Sequence, residues 1–311
     1  MASTTITKAN GQINIVLNQE ISKEKPTVID EHLLLKHNPL EKIQRELRSL
    51  VGMKQVKQLI NEIYAWIYIN QCRQKIGLKQ EKQALHMLFK GNPGTGKTTI
   101  ARLLAQLFYE MDVLSKGHLI EVERADLVGE YIGHTAQKTR ELIKKANGGV
   151  LFIDEAYSLA RGGEKDFGKE AIDTLVKAME DHQHDFILIL AGYPKEMNYF
   201  LSLNPGMPSR FPIVMNFNDY TNEELINIAR SMVRERDYLL STEAEIKIKN
   251  HLERYRATNK HSFSNARYIR NIIEKSIRKQ AVRLLKGEHF ERQQLMTLLA
   301  VDIQLEEDPY F

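Results

Sequence analysis

Residues Gly91-Asn92-Pro93-Gly94-Thr95-Gly96-Lys97-Thr98 form a complete GxxxxGK[ST] run. The chemistry such a run can do is binding of a polyphosphate. Glycines let backbone N–H groups converge on an anion with no Cβ in the way. The helix that begins near Lys97 points its positive end at the same anion. Lys97 is placed to reach the β- and γ-phosphates, and the Thr98 hydroxyl to ligate magnesium. The candidate nucleotide contacts are Asn92, Pro93, Gly94, Thr95, Gly96, Lys97, Thr98 and Thr99.

A second run, Val150-Leu151-Phe152-Ile153-Asp154-Glu155, is an apolar strand that ends in two carboxylates. A buried parallel strand delivers its C-terminal end to a nucleotide site. Asp154 is expected to help hold magnesium through water, and Glu155 to act as general base on the attacking water. Apolar strands often end in acids, so the pair gains its meaning from the phosphate loop upstream. Together they argue for ATP hydrolysis rather than phosphoryl transfer to a second substrate.

These residues need a scaffold, and the hydropathy pattern supplies one. Strands are expected at Leu85–Phe89, Leu119–Val122, Val150–Ile153, Phe186–Leu190 and Ile213–Phe217. Helices are expected between them at Lys97–Met111, Thr135–Ala146 and Lys169–Asp181. Such alternation implies a parallel sheet covered on both faces. Before it, helical spacing runs from Leu40 to Ile76 with a break at Val51–Gly52. After Asp219 the pattern predicts only helices: Thr221–Arg236, Thr242–Arg256, Ser264–Leu285 and Arg292–Ala300. Thr221 and Glu224 have the spacing of a capping box. The expected map is an N-terminal extension (1–38) with one alternating stretch at Ile13, Ile15 and Leu17, an α/β nucleotide-binding domain (39–219) and a small all-helical lid (220–311).

Composition narrows the classes. The 311 residues are 42% hydrophobic and 27% charged, with 44 basic against 40 acidic residues. That balance fits a globular chain and announces no nucleic-acid or membrane partner. Residues 1–90 carry 14 basic against 8 acidic residues and residues 91–220 carry 14 against 18, an asymmetry that solvated faces explain. The single cysteine, Cys72, forms no internal disulfide and suits a reducing cytosol. The N-terminus lacks the pattern of a secretory signal, and the apolar runs are too short to span a membrane. The expected location is cytoplasmic.

The chain resembles the AAA+ family, and within it the branch that holds the CbbX/CfxQ-type Rubisco activases and stage V sporulation protein K. The stretches that carry the resemblance are GNPGTGKTT, DLVGEYIGHT, LFIDEAYSL, LILAGY, NPGMPSRF and SNARYIRN, between about Leu50 and Leu285. The N-terminal stretch MASTTITKANGQINIVLNQ looks closer to the sporulation protein. The resemblance implies an ATP- and magnesium-dependent homo-oligomeric ring, a hexamer, that remodels or threads a protein substrate, in sporulation. It implies that Arg210 is an arginine finger for the neighbouring subunit's site and Arg267 a sensor-2 arginine offered by the lid. It further implies that Val51 and Gly52 read the adenine edge, and that Tyr131, Ile132 and Gly133 form a pore loop. The usual sensor-1 Asn or Thr has no match after the strand ending in Leu190. Tyr193 stands near there, and sensor 1 stays unassigned. Three alternatives remain: a nucleic-acid motor or clamp-loader-like ATPase, a non-hydrolysing nucleotide switch, and a Rubisco-activase-like remodeller. The first lacks a dense basic stripe with interleaved aromatics.

Overall fold

The computed structural model describes residues 4–9, 12–17, 38–79, 83–131, 133–161, 166–203, 206–258, 263–287 and 290–305. The chain forms two compact units, Met1–Glu41 and Lys42–Phe311. In the first, β1 (Thr4–Ala9) pairs antiparallel with β2 (Gln12–Leu17), with Ile6 opposite Ile15. The alternating stretch Ile13, Ile15 and Leu17 is therefore one arm of a hairpin.

The second unit includes α1 (Asn38–Ser49) from Lys42 onward, and α2 (Lys54–Lys75). The α2 stripe of Val56, Ile60, Ile63, Tyr64 and Ile67 is buried at helical spacing. Gly52 and Met53 both have positive φ, 66° and 55°, which breaks the helix where the sequence predicts. Cys72 lies half-buried on α2 as a free thiol.

Five parallel strands make the central sheet in the order β4-β5-β6-β3-β7. They are β3 (Met87–Gly91), β4 (Leu119–Val122), β5 (Val150–Ile153), β6 (Ile187–Gly192) and β7 (Ile213–Phe217). Three have the expected bounds. β3 and β6 begin and end slightly later than hydropathy suggests, because Lys90, Gly91 and Gly192 pair in the ladder although they are not large apolar residues. Leu85 and Phe186 are buried just ahead of the strands.

Crossover connections put helices on both faces. α3 (Lys97–Glu110), α4 (Arg124–Leu127), α5 (His134–Ala146), α6 (Gly168–Asp181) and α7 (Pro194–Ser202) follow the strands. With both faces covered, every residue of β5 and β6 is buried. Phe89 sits at the centre, with Phe217 and Phe152 rings 5.0 and 6.4 Å away. Truncating such a core aromatic to alanine costs about 3–5 kcal/mol. α4, α7 and a 3-10 turn at Ala156–Ala160 were not expected. All three are too short to show a period.

Beyond Phe217 comes α8 (Asn222–Arg234), started by the Thr221–Glu224 capping box. α9 (Thr242–Thr258), α10 (Ala266–Leu284) and α11 (Arg292–Met296) follow. The expectation of helices alone needs correcting. β8 (Leu239–Leu240) pairs in parallel with β9 (Thr297–Leu298), so the last helix stops at Met296 rather than Ala300. The Gln280 amide fixes that turn by donating to the carbonyls of Gln294, Leu295 and Thr297, each at 3.0 Å. Among the described residues, no helix is long and apolar enough to cross a membrane.

One buried histidine ties this core to pH. His86 is 1% exposed, and its Nδ1 accepts from the Leu188 N–H at 3.0 Å. Burial lowers its pKa from 6.5 to about 4. The unfolded chain therefore takes a proton at pH values where the folded chain refuses it. The contribution of His86 is full above pH 6.5 and is lost as pH falls toward 4. Between pH 7 and 4.5 this residue should remove about 2–3 kcal/mol of stability. Urea unfolding midpoints at the two pH values should show the wild type falling more steeply than His86→Gln.

Candidate functional site

The phosphate-loop residues lie between the end of β3 and the start of α3, and the chain can follow that path only through left-handed glycines. Gly94 has φ 68° and Gly96 φ 94°. Thr95, 1% exposed, donates its hydroxyl to the Asn92 carbonyl at 2.8 Å and closes the turn. Lys97 is 8% exposed, and its ammonium donates to the carbonyls of Gly91 and Asn92, both at 2.9 Å. Burial lowers its pKa, Asp154 and Glu155 oppose that, and Arg267 adds to it.

Asp154 and Glu155 follow β5 directly. The Asp154 N–H donates to the Val122 carbonyl at 3.1 Å, and its carboxylate accepts from the Glu155 N–H at 2.9 Å. Glu155 has φ 46°, a left-handed conformation that a non-glycine residue adopts at a cost of about 1–2 kcal/mol. Such strain clusters at functional sites. Tyr157 and Tyr193 stand beside it with ring centroids 5.5 Å apart. Burial raises both phenol pKa values, and the Glu155 charge raises them further. Gly192 makes room for this pair, since a Cβ there would stand 2.7 Å from the Tyr157 ring.

Most of these groups line one cavity of about 490 Å³. Its walls include Lys97, Thr98, Thr99, Asp154, Glu155 and Arg267, together with Val51, Pro93, Gly94 and Gly96. Size does not single it out. A cleft beside α2 has about 570 Å³ and a groove beside α5 and α6 about 760 Å³. Its lining does, because cationic groups and two carboxylates converge there on a glycine loop. The donors fit magnesium nucleotide: one hydroxyl and one carboxylate are what magnesium takes from a protein when phosphates and water supply the rest.

Three of the expected nucleotide contacts do not line the cavity. Asn92 and Thr95 brace the loop, Asn92 by donating to both carboxylate oxygens of Asp219 at 3.0 Å. Gly52 packs on the lid, where a Cβ would come 2.5 Å from Glu224 Oε1. Arg210 lies outside the cavity too. It ends a 3-10 turn at Pro208–Arg210 and pairs with Glu180, its Nε donating to Oε1 at 3.1 Å. Tyr131 is 65% exposed, with its ring edge-on to His134 at 5.4 Å. Gly133 has φ 83° and open space where a Cβ would be. Ile132 lies outside the described residues. Sequence reasoning missed Arg270 and the wall position of Tyr193. Neither carries a local signal.

A parallel sheet ordered in this way, with a glycine loop after its fourth strand in space and a small helical domain over the loop, defines a P-loop ATPase of the AAA type. Comparison with known proteins agrees. Residues 87–219 match the model of the ATPase family associated with various cellular activities (AAA), and residues 221–310 match an AAA lid domain. Stage V sporulation protein K of Bacillus subtilis (strain 168) is 60% identical over 310 residues, 97% of this chain and 96% of that one. Protein CfxQ of Xanthobacter flavus is 45% identical, covering 82% of this chain and 81% of its own. A chloroplastic ribulose bisphosphate carboxylase/oxygenase activase of Cyanidioschyzon merolae is 45% identical over 82% of this chain and 88% of its own. A solved RuvB mutant of Thermogota maritima shares the fold, with TM-score 0.51 and 21% identity over 80% of this chain and 69% of that one. The chain belongs to the AAA family of ATPases.

Gly94 offers a direct check on the site. Its φ is 68°, and a Cβ there would come 2.2 Å from the Ser264 carbonyl of the lid. Gly94→Ala should weaken binding of a fluorescent ATP analogue at least tenfold and lower the melting temperature. Titration and a thermal scan of the same sample read both.

Proposed function

We propose that this chain is a magnesium-dependent ATPase that works as a hexameric ring and remodels a protein substrate by threading it through the central pore. The observation that carries this reading is the separation of Arg210 from the cavity that holds Lys97, Asp154 and Glu155. A half-buried arginine after Met207-Pro208-Ser209, outside its own subunit's cavity, suits a neighbour's site. Domains at 39–219 and 220–311, with an extension at 1–38, fit this division of labour, and so does a cytoplasmic location.

Catalysis follows from the residues. Backbone amides of Gly94 to Lys97 and the Lys97 ammonium bind the phosphates. Thr98, and Asp154 through water, would hold magnesium, which when bound neutralises charge on the β- and γ-oxygens. Glu155 takes the proton of the attacking water. Arg267 reaches in from the lid, and the chain at Val51 reads the adenine. Arg210 of one subunit stabilises charge at the next subunit's site, an effect worth about 10³–10⁵ in rate when supplied in trans. Movement of the lid against the core would carry Tyr131, Ile132 and Gly133 along the pore. An exposed tyrosine beside an unhindered glycine can grip extended chains of many sequences.

The 60% identity with a stage V sporulation protein favours a sporulation role. The 45% identity with a Rubisco activase supports a second reading, remodelling of Rubisco. The name of the second relative points to a protein target, which supports a protein rather than a nucleic acid as substrate.

Specific ATPase activity of the wild type should rise with protein concentration, and Arg210→Ala should abolish both the rise and most of the activity. Activity independent of concentration, with a normal Arg210→Ala, would sink the ring. Glu155→Gln should bind ATP normally and turn over about 10²–10⁴ times more slowly. Tyr131→Ala should hydrolyse ATP yet fail to remodel substrate, and full remodelling by this variant would remove the threading mechanism.

A further inference from the structure

The most deeply buried polar side chain where the lid meets the phosphate loop is Asn265. Asn265 is 0% exposed and sits immediately before α10 with φ 49° and ψ −125°, a backbone conformation that disfavours side chains. Its amide donates to Asp219 Oδ1 at 2.8 Å and to the Pro93 carbonyl at 3.3 Å. Its Oδ1 accepts from the Tyr220 N–H at 3.0 Å. Asp219 in turn accepts from Asn92, and the Tyr220 hydroxyl donates to the Thr95 carbonyl at 3.2 Å. One residue on, the Ala266 N–H donates to the Gly94 carbonyl at 3.2 Å. Asn92, Pro93, Gly94 and Thr95 are thus each bonded to the root of the lid or to the start of α10.

We infer that Asn265 is a positioning residue that clasps the lid to the phosphate loop and thereby fixes Arg267 in the nucleotide cavity. The inference rests on the ATPase reading. Arg267 follows Asn265 by two residues and is the second residue of α10, so its aim is set by where that helix starts. A buried amide with donors and acceptors all engaged holds one geometry, because each lost partner would leave a desolvated group. The same bonds make the coupling mutual. A shift of Pro93 or Gly94 on phosphate binding pulls on α10, and a shift of α10 pulls on the loop.

A double-mutant cycle in the full chain separates positioning from general damage. Glycine is the replacement because it relaxes the positive φ while removing the side chain. Asn265→Gly should lower kcat/KM for magnesium ATP by about tenfold, since misplacement of a binding group costs rate steeply. In an Arg267→Ala background the same change should cost less than about twofold, because its target is already gone. Equal losses in both backgrounds, or no loss in the wild-type background, overturn the clasp. Asn265→Asp gives the second arm: it turns an acceptor toward the Asp219 carboxylate and the Pro93 carbonyl, so it should lose at least as much activity as Asn265→Gly, and wild-type activity in this variant counts against the clasp. A wild type that neither binds nor hydrolyses ATP defeats the ATPase reading itself, and that result is seen before any variant is made.

Discussion

A positive charge is buried at the centre of this molecule. Lys97 is 8% exposed, and its ammonium is held by the carbonyls of Gly91 and Asn92. Taking such a group from water is costly unless nearby groups of opposite sign repay it. The surroundings meet that demand. β5 lies next to β4 and β6 in the middle of the sheet and ends in two carboxylates facing the lysine's cavity. Left-handed glycines bend the loop so that its own carbonyls reach the ammonium. An anion entering the cavity therefore meets a charge that the fold has already desolvated, and the low local dielectric strengthens the attraction.

The same loop is also the lid's foundation. Gly94 has no side chain to give because the Ser264 carbonyl occupies the place a Cβ would take. Its glycine serves backbone conformation and close approach together. Arg267, Tyr193 and Glu155 then enter the cavity from α10, from the end of β6 and from the end of β5. Three separate parts of the chain are registered against one turn. Arg210 is the exception. It rests on Glu180 of α6, away from this convergence.

Local chemistry was legible in the sequence wherever a few adjacent residues decide the outcome. The phosphate loop, the Asp154–Glu155 strand end and the Thr221–Glu224 capping box are all contiguous. Apolar runs located β4, β5 and β7 because these strands consist of little else. Lys90 and Gly192 escaped notice because ladder pairing, not hydropathy, makes them strand. β8 and β9, two residues each, are below any period. Asn265 was invisible for a stronger reason. Its partners are Pro93, Asp219 and Tyr220, up to 172 positions away. No window along the chain contains that information. Arg210 and Arg267 were reached through family resemblance, and their spacing alone says nothing of their roles.

The attachment of α10 has a mechanical consequence. The helix begins on the phosphate loop and runs for 19 residues to Leu284, about 28 Å at the standard rise per residue. It is a lever with its fulcrum at the nucleotide. A rotation of about 10° at Asn265, too small to break the bonds that hold it, would sweep the far end through about 5 Å for an arm of that length. Sub-ångström motion where phosphate binds would thus leave the far end of this helix as a displacement of about 5 Å.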